Sequence, residues 1–378
     1  MNKKNNTSPY YIGLMSGTSM DAVDTAVVNF SKSRPRLIAY EQYPIDPDTR
    51  TSIRSINTKS TIEDVSKQDY LIGELFASAV NRILSEQGIA PNDVAAVGCH
   101  GQTILHLPDD QYPRTLQIGD PNLIAERTGI ATTADFRRMD MAAGGQGAPL
   151  APSFHDQVFR KPGLNRVILN IGGIANVSML PANPSVSVSG FDTGPGNGLM
   201  DDWCQMHLGH EMDVDSKWAN SGEPIDSLLS AMLNDEYFSM VPPKSSGRDY
   251  FNLDWIQARI AETGLEVKSE DVQATLFELT RINICDAIQG YLADADEIYV
   301  CGGGAHNQRL MKSIQKTLAG KLVADTHSLG IDPDAVEAVT FAWLAKCRLE
   351  EINGNSPSVT GAKANCILGG LYLPPTKN

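Results

Sequence analysis

The segment Gly13-Leu14-Met15-Ser16-Gly17-Thr18-Ser19-Met20-Asp21-Ala22-Val23-Asp24 constrains this chain more than any other stretch. It joins two β-rich runs, Tyr10 to Leu14 and Thr25 to Phe30, through small and hydroxylic residues. Apolar runs on either side of a Gly/Ser/Asp turn predict a β-hairpin. Turn chemistry alone accounts for that composition. A phosphate grip accounts for it equally. Gly17 lets a ligand approach the backbone, and the hydroxyls of Ser16, Thr18 and Ser19 can donate to phosphate oxygens. Asp21 and Asp24 flank the turn and could hold a hydrated magnesium ion. The segment by itself leaves both accounts open.

A chain of 378 residues is long enough for two domains with sizeable cores. Its net charge of -14 argues against nucleic acid and against an anionic membrane surface as partners. Any anionic substrate must therefore meet a local cluster of donors. The six cysteines, Cys99, Cys204, Cys285, Cys301, Cys347 and Cys366, contain no CxxC pair. The expectation is a reduced, cytoplasmic protein without a zinc site. No apolar run approaches the roughly 18 residues of a membrane span. Residues 1–8 are polar, so no secretory signal is expected.

Strand and helix patterns alternate along the chain. Arg36 to Ile45 reads as a strand, and Ser60-Thr61-Ile62-Glu63 as a capping box opening a long helix. Short strands follow at Val94 to Cys99 and Thr115 to Ile118. The stretch AAGGQGAP, residues 142–149, breaks the composition and is a plausible hinge. Beyond it, strands are expected at Arg166 to Ile171, Ala175 to Leu180, Ser185 to Phe191 and Glu297 to Cys301. Helices are expected near 197–208, 253–262, 271–292 and 333–349. Each half reads as hairpin strands followed by helices. The expected domains are residues 9–143 and 150–372, with the extreme C-terminus able to pack back on the first.

Four Gly-rich turns follow strands: Ser16 to Asp21, Gly172-Gly173, Asp192 to Asn197, and Gly302-Gly303-Gly304 to Asn307. None is a Walker A loop or a GxGxxG fingerprint. Ligands of α/β folds gather at strand C-termini, so four such turns predict an interdomain cleft. Asp192 is placed at the end of a strand and the start of a helix, where it is either a general base or a helix cap. Glu337 opens an apolar helix and calls for a sugar hydroxyl or the helix dipole as partner. Arg137-Arg138, and Lys244 with Arg248, are the local basic groups. They either offset substrate charge or form internal salt bridges, such as Arg138 with Asp135 or Asp140. His100 either touches substrate or is a structural histidine.

Taken in order, these segments resemble the anhydro-N-acetylmuramic acid kinase family, within the sugar kinase, actin and heat-shock ATPase superfamily. The resemblance runs from about Tyr10 to Leu373. It rests on Gly13 to Asp24, Gly98 to Thr103, Ala134 to Arg138, Gly144 to Pro149, Leu169 to Ser178, Gly190 to Asn197, Pro243 to Arg248 with Phe251-Asn252, Cys301 to Asn307, and Val359 to Ala362. It implies an α/β, two-lobed actin-like ATPase (ribonuclease H-like) fold with an interdomain active-site cleft; because water must be kept from ATP until sugar binds, closure hinged near Gly144 to Gly147 is expected. It implies ATP and Mg2+ as cofactors, small-molecule substrates, and a homodimer. The activity it implies is phosphorylation of 1,6-anhydro-N-acetylmuramic acid with hydrolytic opening of its ring. A kinase acting on an ordinary sugar hydroxyl is the alternative.

The residue assignments that follow from the resemblance are specific. Gly17, Thr18, Ser19, Met20, Asp21, Ala22, Val23 and Asp24 form the ATP motif. Gly172, Gly173, Gly302, Gly303, Gly304 and Asn307 complete the nucleotide site. Asp192 is the catalytic base; from the residues themselves, Gln146, Glu337 and His100 are expected to meet the sugar, and Asp21 or another carboxylate to order the metal. Ala22 stands where the family usually has Gly. If that position needs φ > 0, Ala strains it by about 1 kcal/mol.

Overall fold

The computed structural model describes residues 8–17, 20–32, 34–57 and 59–376. The chain divides into two compact units, Met1–Val158 with Ala335–Asn378, and Phe159–Asp334.

In the first unit, β1 (Tyr10–Met15), β2 (Ala22–Asn29) and β3 (Arg36–Pro44) form an antiparallel meander. The expected hairpin is present, and its second strand starts three residues earlier than the apolar run suggests. A long helix, α1 (Ile62–Gln87), returns the chain to β4 (Val94–Cys99), which lies parallel to β1. A separate hairpin, β5 (Gln102–Leu107) with β6 (Arg114–Ile118), precedes β7 (Thr132–Ala134), which lies parallel to β4. The cap of α1 is one residue later than the sequence pattern suggests. Thr61 Oγ1 accepts from Asp64 N–H, and Asp64 Oδ2 accepts from Thr61 N–H. Ser60 is unavailable as the cap because its hydroxyl accepts from Asn57 N–H in the preceding turn.

The second unit repeats this plan. β8 (Arg166–Ile171), β9 (Ile174–Leu180) and β10 (Ser189–Pro195) form an antiparallel meander, and β11 (Glu297–Cys301) and β12 (Leu322–Asp325) add parallel strands beside β8. The helices α2 (Gly198–Leu208) and α3 (Ser269–Tyr291) follow β10 in this unit. The sheet order is third, second, first, fourth, fifth strand in both units, with a closing strand β13 (Gly370–Tyr372) beside β7 in the first. This doubled order is the ribonuclease H-like plan that the resemblance implies. It also explains the similar layout of the two halves without any sequence repeat.

One expected strand is displaced. The alternation in Ser185 to Phe191 suggests a strand, but Ser185 and Val186 fold back on Asn183 in a turn. The strand starts at Ser189 instead, and Asp192 therefore lies inside β10 rather than at a helix start.

The C-terminal helix α4 (Val336–Glu350) packs on the first unit's sheet through two glycines. Gly13 and Gly98 are register partners on β1 and β4. A Cβ on Gly13 would lie 1.7 Å from Ala338 O, and one on Gly98 would lie 2.0 Å from Phe341 O. The helix backbone thus rests directly on the strands, and its first turn places Glu337 in the first unit.

Candidate active site

The hairpin tip of the first unit spans Ser16 to Asp21. Met20 N–H donates to Gly17 O at 3.1 Å and closes the turn. Thr18 and Ser19 lie outside the described residues. The left-handed residue is Met20, with φ 55°, whereas Ala22 is not among the positive-φ residues and pairs with Pro44 in β2. The methyl of Ala22 therefore brings no backbone strain. Val23 is fully buried in the first unit's core, so its side chain anchors the strand rather than facing a ligand. Ser16 is buried and its hydroxyl has no partner among the described residues. An open donor at the end of β1 suits a phosphate oxygen.

The carboxylates around the hairpin are arranged differently from one another. Asp21 pairs with Arg50 at 2.6 Å. It is thus an ion-pair partner through one oxygen, and no group of three His, Cys, Asp or Glu among the described residues is placed to hold a metal. Asp24 Oδ1 accepts from the Tyr40 hydroxyl and from Gln42 Nε2. Glu337 is an exposed residue of the first unit. Its carboxyl is nonetheless raised above the usual range, by crowding of protein around it first and by Asp24 second, with Arg137 opposing.

His100 and Arg137 form one device. Burial, reinforced by Arg137, pushes the His100 pKa down to about 3, so the ring is neutral. Its Nδ1 lies 2.8 Å from Gly101 O, which assigns the proton to Nδ1. Nε2 then accepts from Arg137 Nε at 3.1 Å, and Arg137 Nη1 donates to Gly147 O at 2.9 Å. Both acceptors are neutral, and no carboxylate among the described residues forms an ion pair with Arg137. Burial lowers its pKa to about 10, with Glu337 opposing, so it remains a cation at neutral pH. Gln146, beside Gly147, is exposed and its backbone N–H donates to Thr360 O at 2.8 Å. Arg138 instead forms the internal salt bridge with Asp135.

In the second unit, Gly172 and Gly173 are the tip of the β8–β9 hairpin. Their carbonyls accept from the N–H groups of Asn197 and Gly196, which locks this tip to the turn before α2. Gly302 needs its φ of 76°, while a Cβ on Gly303 would meet nothing nearer than Asn197 Nδ2 at 3.8 Å. Gly303 is thus the member of that turn with room for a ligand. Asn307 caps the following helix by accepting from Leu310 N–H, and its Nδ2 donates to Ser216 Oγ at 2.7 Å. Arg248 pairs with Asp202 and runs alongside Gly173.

Asp192 sits where β10 bulges, next to the register break between Asp192 and Gly194. Bulges re-aim side chains. α2 starts six residues later and Asn197 occupies its cap position, so Asp192 is not a helix cap. Its backbone is clamped on both sides: N–H donates to Lys244 O at 3.0 Å, and O accepts from the Tyr237 hydroxyl at 2.8 Å. Its Oδ2 accepts from Ser246 N–H at 2.9 Å. Burial raises the carboxyl to about 6, against the Ser246 hydrogen bond. A pKa near the working pH suits a general base. Asp235 supports the clamp by accepting from Tyr237 N–H, the Tyr250 hydroxyl and Trp255 Nε1. Tyr237 carried no sequence signal, because its role depends on a contact with a residue 45 positions away.

The family model described as Anhydro-N-acetylmuramic acid kinase matches residues 9–374. A protein of Coxiella burnetii (strain Dugway 5J108-111) named Anhydro-N-acetylmuramic acid kinase is 46% identical over 364 residues, covering 96% of this chain and 97% of that protein. A protein of the same name from Pasteurella multocida (strain Pm70) is 45% identical over 366 residues, covering 96% of each. Among solved structures, the activator of the 2-hydroxyisocaproyl-CoA dehydratase from Clostridium difficile, with bound ADPNP, aligns with 90% of this chain and 96% of its own, at 14% identity and a TM-score of 0.44.

Proposed function

The chain belongs to the anhydro-N-acetylmuramic acid kinase family, and on that premise we propose how its residues carry out the reaction. The enzyme uses ATP to open the 1,6-anhydro bridge of 1,6-anhydro-N-acetylmuramic acid and to phosphorylate O6. The products are N-acetylmuramic acid 6-phosphate and ADP, in recycling of cell-wall sugar. The observation that carries the mechanism is Asp192: a carboxylate with a pKa near 6, anchored through one oxygen and clamped along its backbone.

O6 of the substrate is bonded to C1, so phosphorylating it requires breaking that bond. Asp192 takes a proton from water as the water attacks C1. O6 leaves C1 and receives the γ-phosphoryl group, which replaces the proton that a glycosidase acid would donate. The Ser16–Asp21 turn and Gly303 are the proposed contacts for the nucleotide, with Gly17 and Met20 shaping the turn and Gly172, Gly173 and Asn307 shaping its counterpart. Gln146, Glu337 and His100 are the proposed sugar contacts, His100 acting with Arg137. A magnesium ion would arrive on the nucleotide, since it binds through one or two carboxylates plus phosphates and keeps several waters. It would neutralise charge on the transferring group. Asp21 would meet that ion only through the oxygen that Arg50 leaves open. A cytoplasmic setting is supported by six cysteines that form no disulfide, and a homodimer is the assembly implied by the family. Among the described residues no helix is long and apolar enough to cross a membrane.

The deciding experiment measures ADP formation with and without the anhydro sugar, in 18O-labelled water. ADP is expected only with the anhydro sugar, and the label is expected on C1 of the product. Equal turnover of a free sugar without label uptake would point instead to a kinase of ordinary hydroxyls.

The substrate carries a lactyl carboxylate, and Arg137 is a cation with no carboxylate ion-pair partner among the described residues. Arg137→Met is expected to raise the sugar KM about 10–100-fold, the loss of one charge-assisted hydrogen bond, with the ATP KM unchanged. An anhydro sugar lacking the lactyl group should lose its disadvantage in that variant. An unchanged preference for the lactyl substrate would remove Arg137 from this role.

A further inference from the structure

Asp192 and Ser246 each hold a polar atom with no partner among the described residues, and the two residues are fastened to one another. The Ser246 N–H donates to Asp192 Oδ2 at 2.9 Å. Asp192 Oδ1 receives no hydrogen bond among the described residues, and the Ser246 hydroxyl, buried, likewise has no partner there. The surrounding clamp is complete without that hydroxyl. Asp192 N–H donates to Lys244 O, Lys244 Nζ donates to Tyr237 O, and the Tyr237 hydroxyl donates to Asp192 O. A buried hydroxyl left unpaired is costly and calls for an explanation, a catalytic partner among them.

We propose that Ser246 is a catalytic residue whose hydroxyl, together with Asp192 Oδ1, holds the water that opens the anhydro ring. This rests on the reading of Asp192 as the base. The hydroxyl and the amide that anchors Oδ2 belong to one residue, and the proposed water bridges that hydroxyl to Oδ1. One proton of that water points at Oδ1 and the other at Ser246 Oγ, which leaves a lone pair directed at C1. As the bond from water oxygen to C1 forms, the C1–O6 bond breaks with its electron pair on O6. O6 then bonds the γ-phosphorus, and the bond from that phosphorus to the bridging oxygen of ADP breaks. The first water proton ends on Asp192, and the second stays on the new C1 hydroxyl. Such a two-point hold also selects water over an alcohol, because methanol has one hydroxyl proton for two acceptors.

The test compares Ser246→Ala and Ser246→Thr with the full enzyme. Ser246→Ala is expected to lower kcat about 10–100-fold, with KM for ATP and for the sugar within about twofold. Its melting temperature should be unchanged or higher, since a buried orphan hydroxyl is removed. Ser246→Thr, which keeps the hydroxyl, should retain most of the turnover. In water containing methanol, Ser246→Ala should send a several-fold larger share of product to the methyl glycoside 6-phosphate. Wild-type turnover and methanol partition in Ser246→Ala, alongside an inactive Asp192→Asn, overturns the role of Ser246 and leaves the base assignment standing. An active Asp192→Asn overturns the base assignment itself. Reduced turnover with unchanged partition and a lower melting temperature marks a structural serine and also overturns the proposal.

Discussion

Asp192→Asn is expected to lower kcat about 10²–10⁴-fold, the range that a positioned general base supplies, while ATP affinity stays within about twofold. Asparagine keeps the shape and can still accept from Ser246 N–H, but it cannot take a proton from water. The wild-type pH profile should carry the same signature. The base must be ionised to act, so kcat/KM is expected to be half-maximal near pH 6 and to fall about tenfold per unit below it. Stability runs in the opposite sense. The carboxyl is raised in the folded state from an ordinary 3.8, so between about pH 4 and 6 the native state holds a proton that the unfolded chain has released. Whatever stability Asp192 contributes is present at low pH and lost as pH rises through 6. At neutral pH the Asn variant should therefore be at least as stable as wild type. Near-normal turnover in a folded Asp192→Asn would clear this residue of the base role.

Gly13→Ala is expected to destabilise the first unit by about 3 kcal/mol or more, with a drop in melting temperature on the order of 10 °C. The added Cβ would lie 1.7 Å from a helix carbonyl, and backbone cannot yield as a side-chain tip can. α4 must lift from β1, and Glu337 in its first turn moves with it. The sugar KM should therefore rise in whatever fraction folds. Gly98→Ala is expected to act in the same way through Phe341 O. Gly290→Ala is the control: it lies near the end of α3 with open space around it, and alanine there should stabilise slightly. Equal melting temperatures for Gly13→Ala and wild type would mean that α4 is not seated on the strands through these glycines.

Much of the site was legible because its chemistry lies in contiguous segments. The hairpin around Gly17 follows from two apolar runs and a turn between them. Glu297 to Cys301 and the glycines after it follow from a short buried strand meeting Gly302. What was not legible depends on partners remote in the chain. Asp192 read as a helix start because Gly and Asn follow it; the pairing of β10 with β9 draws the strand past it to Pro195. His100 and Arg137 looked like separate candidates, and only burial and their contact make one a neutral acceptor for the other, a cation with no carboxylate ion-pair partner among the described residues. Arg248 and Arg138 looked equally available, and both are held by neighbouring aspartates.

The opening hairpin shows where the division falls. Sequence alone determined its strands, the small residues at its tip and the α/β class of the chain, because local propensity and hydrophobic alternation act over a few residues. It also carried the family, because many short motifs in one order are specific together. Tertiary structure decided which side chains are left open for the proposed chemistry. It assigned the left-handed conformation to Met20 and spared Ala22, turned Asp21 toward Arg50, and buried Val23 in the core. It also brought Tyr237, Lys244 and Ser246 around Asp192. The physical reason is that burial, charge pairing and hydrogen-bond satisfaction depend on which distant segments meet. Those three quantities decide whether a carboxylate, a cation or a hydroxyl is left open for a substrate.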